Sequence, residues 1–103
     1  MILNRIRYEN LIVISRKYSN LLSRSSVLNS TMKNLMNSEK YREILDLFDQ
    51  QSSSRTDTTF YFALKAATKL MNYDHGIRIY HQLSSKSLAN PYIQTSLIHF
   101  FSN

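Results

Sequence analysis

Side chains able to do covalent or acid–base chemistry are sparse in this chain. The histidines are His75, His81 and His99, and no His-Glu-x-x-His pair or carboxylate spacing joins them into a metal-ligand set. Cysteine is absent, which excludes disulfides, thiolate metal sites and cysteine nucleophiles. Serine is abundant, yet no Gly-x-Ser-x-Gly elbow exists, and its runs read as linkers. A single Gly is too few for a phosphate-cradling glycine loop. The reading is no catalysis, no metal and no cofactor.

Binding chemistry is better represented. Tyr61, Lys65 and Lys69 recur at i, i+4 and i+8, with Thr68 beside them. On a helix of about 3.6 residues per turn, this stripe is rotated about 100° from the apolar stripe Phe60, Leu64 and Ala67. It therefore points away from the hydrophobic seam. An aromatic ring beside two ammonium groups suits single-stranded RNA, because bases stack on the ring and phosphates meet the ammonium groups. The competing reading is a solvated helix face with one half-buried Tyr.

These side chains need helices to hold them. The chain has 103 residues, 43% of them apolar and 19% charged, enough for one small domain with a core. One Gly and one Pro are too few for a turn-rich β-sandwich. The apolar run Leu11–Ile14 stops far short of the roughly 18 residues of a membrane helix, so no membrane span is expected. An all-α fold remains.

The formal charge is +6, and most of the bias lies in residues 1–30, where Arg5, Arg7, Arg16, Lys17 and Arg24 face Glu9 alone. That stretch is also rich in Ser, with Ile2, Ile6, Leu11, Ile14, Leu21 and Leu22 at rough helical spacing. Arg-rich, Ser-rich and acid-poor is the composition of an organelle transit peptide. A cationic amphipathic helix is drawn to a negative-inside membrane, and carboxylates would oppose that. Arg16-Lys17-Tyr18-Ser19 looks like a mitochondrial processing signal with cleavage after Tyr18. Residues 1–26 are therefore expected to be a mitochondrial transit peptide. An ordinary basic N-terminal helix of the fold is the alternative.

The remainder repeats. Tyr41–Gln50 aligns without a gap on Tyr73–Gln82 at an offset of 32, and Phe60 and Leu64 fall on Ile93 and Leu97 at an offset of 33. Such a period suggests a helical repeat array. Tyr41, Ile44, Leu45 and Phe48 form one helical stripe; Phe60, Ala63, Leu64 and Ala67 form a second. Tyr73, Gly76, Ile77 and Tyr80 form a third, and Ile93, Leu97 and Phe100 a fourth. Ser38, Asn72 and Asp57–Thr59 are candidate caps, and Pro91 suits a first turn. The spacing predicts helices near 28–37, 39–51, 58–70, 73–85 and 91–102.

Asp57-x-Thr59-Phe60-x-x-x-Leu64-x-Ala66, Gly76-x-x-Ile79-Tyr80-His81 and Asn90-x-Tyr92-Ile93-Gln94-x-x-Leu97-Ile98 together resemble the pentatricopeptide repeat family. They look like the longer repeats of plant organelle RNA-editing factors. The deaminase tail of some such factors needs a His-x-Glu and two cysteines, and this chain has neither. The resemblance covers residues 27–103 and implies a short α-solenoid of stacked antiparallel helical hairpins. It divides them into a degenerate repeat at 27–56, a repeat at 57–89 and the first helix of a third at 90–103. Ile44 departs from the pattern, since a small residue like Gly76 is usual there.

In that family, two side chains per repeat read a base. The resemblance implies Tyr61 with Ala89, Gln94 in the third unit, and Asn29 with Thr56 in the first. Ala89 offers no hydrogen bond, so stacking without base specificity is expected for the middle repeat. Tetratricopeptide repeats and a plain antiparallel bundle are the structural alternatives. The expected function is single-stranded RNA binding in organellar RNA processing or stability. A helical-hairpin protein-interaction module, or an inactive fragment of a longer repeat protein, is the alternative. Roughly two and a half repeats leave Phe100 and Phe101 without a second helix to cover them, so a partly exposed C-terminal helix is expected, in either a truncated or partial array or a protein that self-associates through it.

Overall fold

Helix-forming stretches separated by polar breaks become helices in the computed structural model, which describes residues 25–102. They are α1 (Ser25–Asn37), α2 (Tyr41–Gln50), α3 (Asp57–Leu70), α4 (Tyr73–His81), α5 (Ser85–Leu88) and α6 (Pro91–Ser102). No strand occurs among the described residues, as an all-α fold requires. The expected leader at 1–26 lies outside the described residues except for Ser25 and Ser26, which belong to α1.

The helix ends show where local chemistry departs from the spacing. Ser38 is not a cap. Glu39 adopts a left-handed φ of 58°, its N–H donates to Met36 O at 3.0 Å, and the Lys40 N–H donates to Leu35 O at 2.9 Å. This closes the end of α1 and delays α2 to Tyr41. At α3 the cap is Thr56, one residue ahead of the expected cluster, and its N–H donates to Thr59 Oγ1 at 3.0 Å. Asn72 caps α4 as expected, with Oδ1 accepting from the His75 N–H at 3.1 Å. That helix stops at His81 instead of 85. Ser84 becomes a cap in its own right, its Oγ accepting from the Ser87 N–H at 3.1 Å, and α5 begins.

One helix organises the rest. α3 packs against α1, α2, α4 and α6, and it turns Ala63, Leu64, Ala66 and Ala67 into the core. Around it lie Leu28 and Met32 of α1, Ile44, Leu45, Leu47 and Phe48 of α2, Ile79 of α4 and Phe100 of α6. The linker after α2 is also built in. Arg55 stacks its guanidinium 3.8 Å from the centre of the Phe48 ring. Its Nε and Nη2 donate to Phe48 O at 3.2 and 2.7 Å, and Nη1 reaches Gln82 Oε1. An orphan carbonyl of the last turn of α2 thereby gains a cationic partner.

The apolar stripe of α4 is rotated from the expected one. His75, Gly76 and Ile79 are buried, whereas Tyr73 and Ile77 are exposed. The cause is Phe100, which is only 1% exposed and sits against Gly76, with the Tyr73 ring 5.7 Å away. The expectation that Phe100 lies uncovered is thereby corrected: α4 covers it. Phe101 and Ile98 remain 55% and 63% exposed, so the C-terminal helix is apolar on its outer face.

A Cβ on residue 76 would lie 2.1 Å from Phe100 Cζ. Gly76→Ala is therefore expected to cost about 1–3 kcal/mol by overpacking, partly offset by about 1 kcal/mol of helix propensity. Each net kcal/mol corresponds to about 4–8 °C in Tm for a domain of this size. Adding Phe100→Leu should recover part of that loss, and strictly additive losses in thermal melts would contradict the contact.

Candidate nucleic-acid interface

The face of α3 next to its core stripe meets α6 across a groove of about 480 Å³. Tyr61, Lys65, Thr68 and Lys69 line it from α3, and Tyr92, Thr95, Ser96 and His99 line it from α6. Thus Tyr61, Lys65 and Lys69, singled out by spacing, share one surface. Lys65 Nζ lies 3.5 Å from Tyr61 Oη and 5.7 Å from the ring centre. The small hydroxyls are already committed: Thr68, Thr95 and Ser96 donate to carbonyls of their own helices, each at 2.9 Å. The lysines, the tyrosine hydroxyls and His99 are the groups left to meet a ligand, and no carboxylate lines this groove.

Tyr92 and His99 were missed by the sequence reasoning. They sit at i and i+7 on α6 and, unlike Gln94, face α3. The pattern Tyr92, Thr95, His99 has the same spacing logic as Tyr61, Lys65, Lys69, but its mixed polarity gives no stripe to notice.

Tyr61 and Tyr92 also line a second hollow, about 330 Å³, with Asp57, Thr58, Phe62 and Asn90. Asp57 anchors it. Its Oδ1 accepts from Ser87 Oγ at 2.5 Å and its Oδ2 from Asn90 Nδ2 at 2.9 Å. The hydrogen bonds from Ser87 and Asn90, followed by the nearby Lys86 charge, hold the Asp57 carboxyl below the usual carboxylate range. The same contacts tie the start of α3 to the turn that precedes α6.

An analogous tie joins α1 to α3. Asn29 Nδ2 donates to Thr56 Oγ1 at 3.0 Å, while its Oδ1 accepts from Thr59 Oγ1 at 2.7 Å. Asn29 and Thr56, paired through the family resemblance, are therefore adjacent, and they bond to each other. Ala89 is an exposed residue ending α5, and Gln94 Nε2 donates to Leu88 O at 3.0 Å. Neither lines a hollow with Tyr61.

A third hollow, about 520 Å³, shares no lining residue with this groove. It carries Asp46 and Asp74 against Arg42, beside His75. His75 Nε2 lies 3.2 Å from Asp49 Oδ1. Burial, and then the Asp49 charge, push the Asp46 carboxyl upward. The two carboxylates of this hollow make it a poorer phosphate site than the groove, which no carboxylate lines. No group of three or more potential metal ligands occurs among the described residues, and none of their helices is long and apolar enough to cross a membrane. No family model, curated protein or solved structure matches the chain.

Thr59 is fully buried, so removing its acceptor has a cost. Asn29→Ala is expected to destabilise the fold by about 1–3 kcal/mol in urea unfolding. Combined with Thr59→Val, the loss should fall short of the sum of the single losses. Additivity would show that the Asn29–Thr59 bond contributes nothing.

Proposed function

We propose that this chain binds single-stranded RNA along the α3–α6 groove, as a short pentatricopeptide-type array serving organellar, and specifically mitochondrial, RNA processing or stability. The observation that carries the reading is the gathering of Tyr61, Tyr92, Lys65, Lys69 and His99 along one open groove that no carboxylate lines. Bases would stack on the tyrosines, each worth about 1–3 kcal/mol, while phosphates meet the ammonium groups.

Two features favour the repeat description. In that reading α1, α3 and α6 are first helices and α2 and α4 second helices, and α3 packs against both α1 and α6. Positions related by the repeat also trade volume. Gly76 lies against Phe100, and the residues 32 and 33 positions earlier are the larger Ile44 and the smaller Ala67, both buried.

A second reading rests on the outer face of α6. Ile98 and Phe101 are exposed there beside Tyr80, whose ring lies 5.6 Å from Phe101. Such an edge suits self-association or another protein.

The two readings separate experimentally. A labelled single-stranded RNA should bind in low salt, with affinity falling as salt rises, because few phosphates are contacted and each contributes through counterion release. Tyr61→Ala combined with Lys65→Ala should weaken binding about tenfold or more, read by fluorescence anisotropy with folding checked by circular dichroism. Unchanged affinity in the folded double variant would remove the groove from the account. A protein partner retained through nuclease and high salt would favour the second reading.

A further inference from the structure

The hollow at the N-terminal ends of α3 and α6 differs chemically from the groove it adjoins. Its walls are Tyr61, Tyr92 and Phe62, and its charged group is a carboxylate, Asp57. Tyr92 is 76% exposed, so its ring is open to a ligand. Aromatic walls suit a base, and a carboxylate turns a phosphate away. The two ends of the surface therefore favour different parts of a nucleotide: cationic Lys65 and Lys69 suit the phosphate, and the Asp57 hollow suits the base.

Asp57 further restricts the base. Ser87 and Asn90 each occupy one position on its two oxygens, while an ionised carboxylate offers about four lone-pair sites. Each oxygen thus retains acceptor capacity, and the hydrogen bonds from Ser87 and Asn90 favour the charged form further. A carboxylate with both oxygens accepting is met best by two adjacent N–H donors. Guanine carries such a pair, N1–H and the 2-amino group, on its Watson–Crick edge. Adenine and cytosine place a ring acceptor beside their amino group, and uracil places its imide N–H between two carbonyl acceptors; each would set a lone pair against Asp57.

We propose that the Tyr61–Tyr92 hollow takes a guanine base of a single RNA strand, stacked on tyrosine and held through N1–H and the 2-amino group by Asp57. This rests on the single-stranded RNA reading and adds a base preference that the Tyr61–Ala89 pair lacks.

The test uses the full chain and labelled eight-nucleotide adenosine oligomers carrying guanosine, inosine, uridine or adenosine at one central position. Inosine keeps N1–H and loses the 2-amino group. The guanosine oligomer should bind about fivefold or more tighter than the all-adenosine one, as a bidentate pair permits, and inosine should lose most of that gain. Asp57→Asn should bring the guanosine-to-adenosine ratio close to one. The inosine arm needs no variant, so it holds whether or not Asp57→Asn folds. Equal binding of guanosine, inosine and adenosine oligomers by the unmodified chain would overturn this inference and leave RNA binding standing. Binding of none of them would overturn both. Displacement by GMP at the concentration at which the guanosine oligomer displaces itself would show a free-nucleotide site and overturn the strand-borne version.

Discussion

A helix packed on four sides needs a slender surface, and that constraint governs this protein. α3 touches α1, α2, α4 and α6, and it does so through Ala63, Ala66 and Ala67 around Leu64. Alanine allows close approach without the side-chain entropy cost of larger residues. Bulk is then supplied by the neighbours: Phe48, Met32, Leu28, Ile79 and Phe100. Gly76 extends the same logic to α4, where the absent side chain makes room for the Phe100 ring. One face of α3 is left out of this packing, and it carries Tyr61, Lys65 and Lys69.

Polar ties set the spacing of the helices that flank that face. Asn29 joins α1 to Thr56 and Thr59. Asp57 joins the start of α3 to Ser87 and Asn90, ahead of α6. Both ties meet at the N-terminal end of α3, where unpaired backbone donors and short polar side chains gather. Lateral fixation at this end places the α3 and α6 tyrosines on either side of one hollow. Positioning of the surface and stability of the fold thus depend on the same few side chains.

Much of this was legible in the sequence, for identifiable reasons. The stripes of α2 and α3 follow from strong periodicity, and Asn72 and Pro91 mark the starts of α4 and α6 because their local chemistry acts alone. The misses are tertiary. Ser38 looks like a cap, but the left-handed Glu39 shifts the start of α2 to Tyr41. Ile77 looks buried by analogy with Leu45, yet Phe100 draws the Gly76 face inward and leaves Ile77 outside. Tyr61, Lys65 and Lys69 were visible as an i, i+4, i+8 stripe. Tyr92 and His99 were not, because only the packing of α6 against α3 makes them neighbours of that stripe.

The most direct test of the central claim is a backbone-amide NMR titration of the chain with a short single-stranded RNA in low salt. The account expects shift changes concentrated on Tyr61, Lys65, Lys69, Tyr92 and His99, with the Asp46–Asp74 side of the fold unmoved. Changes centred on α2 and α4, or on Ile98 and Phe101 with the groove silent, would contradict it.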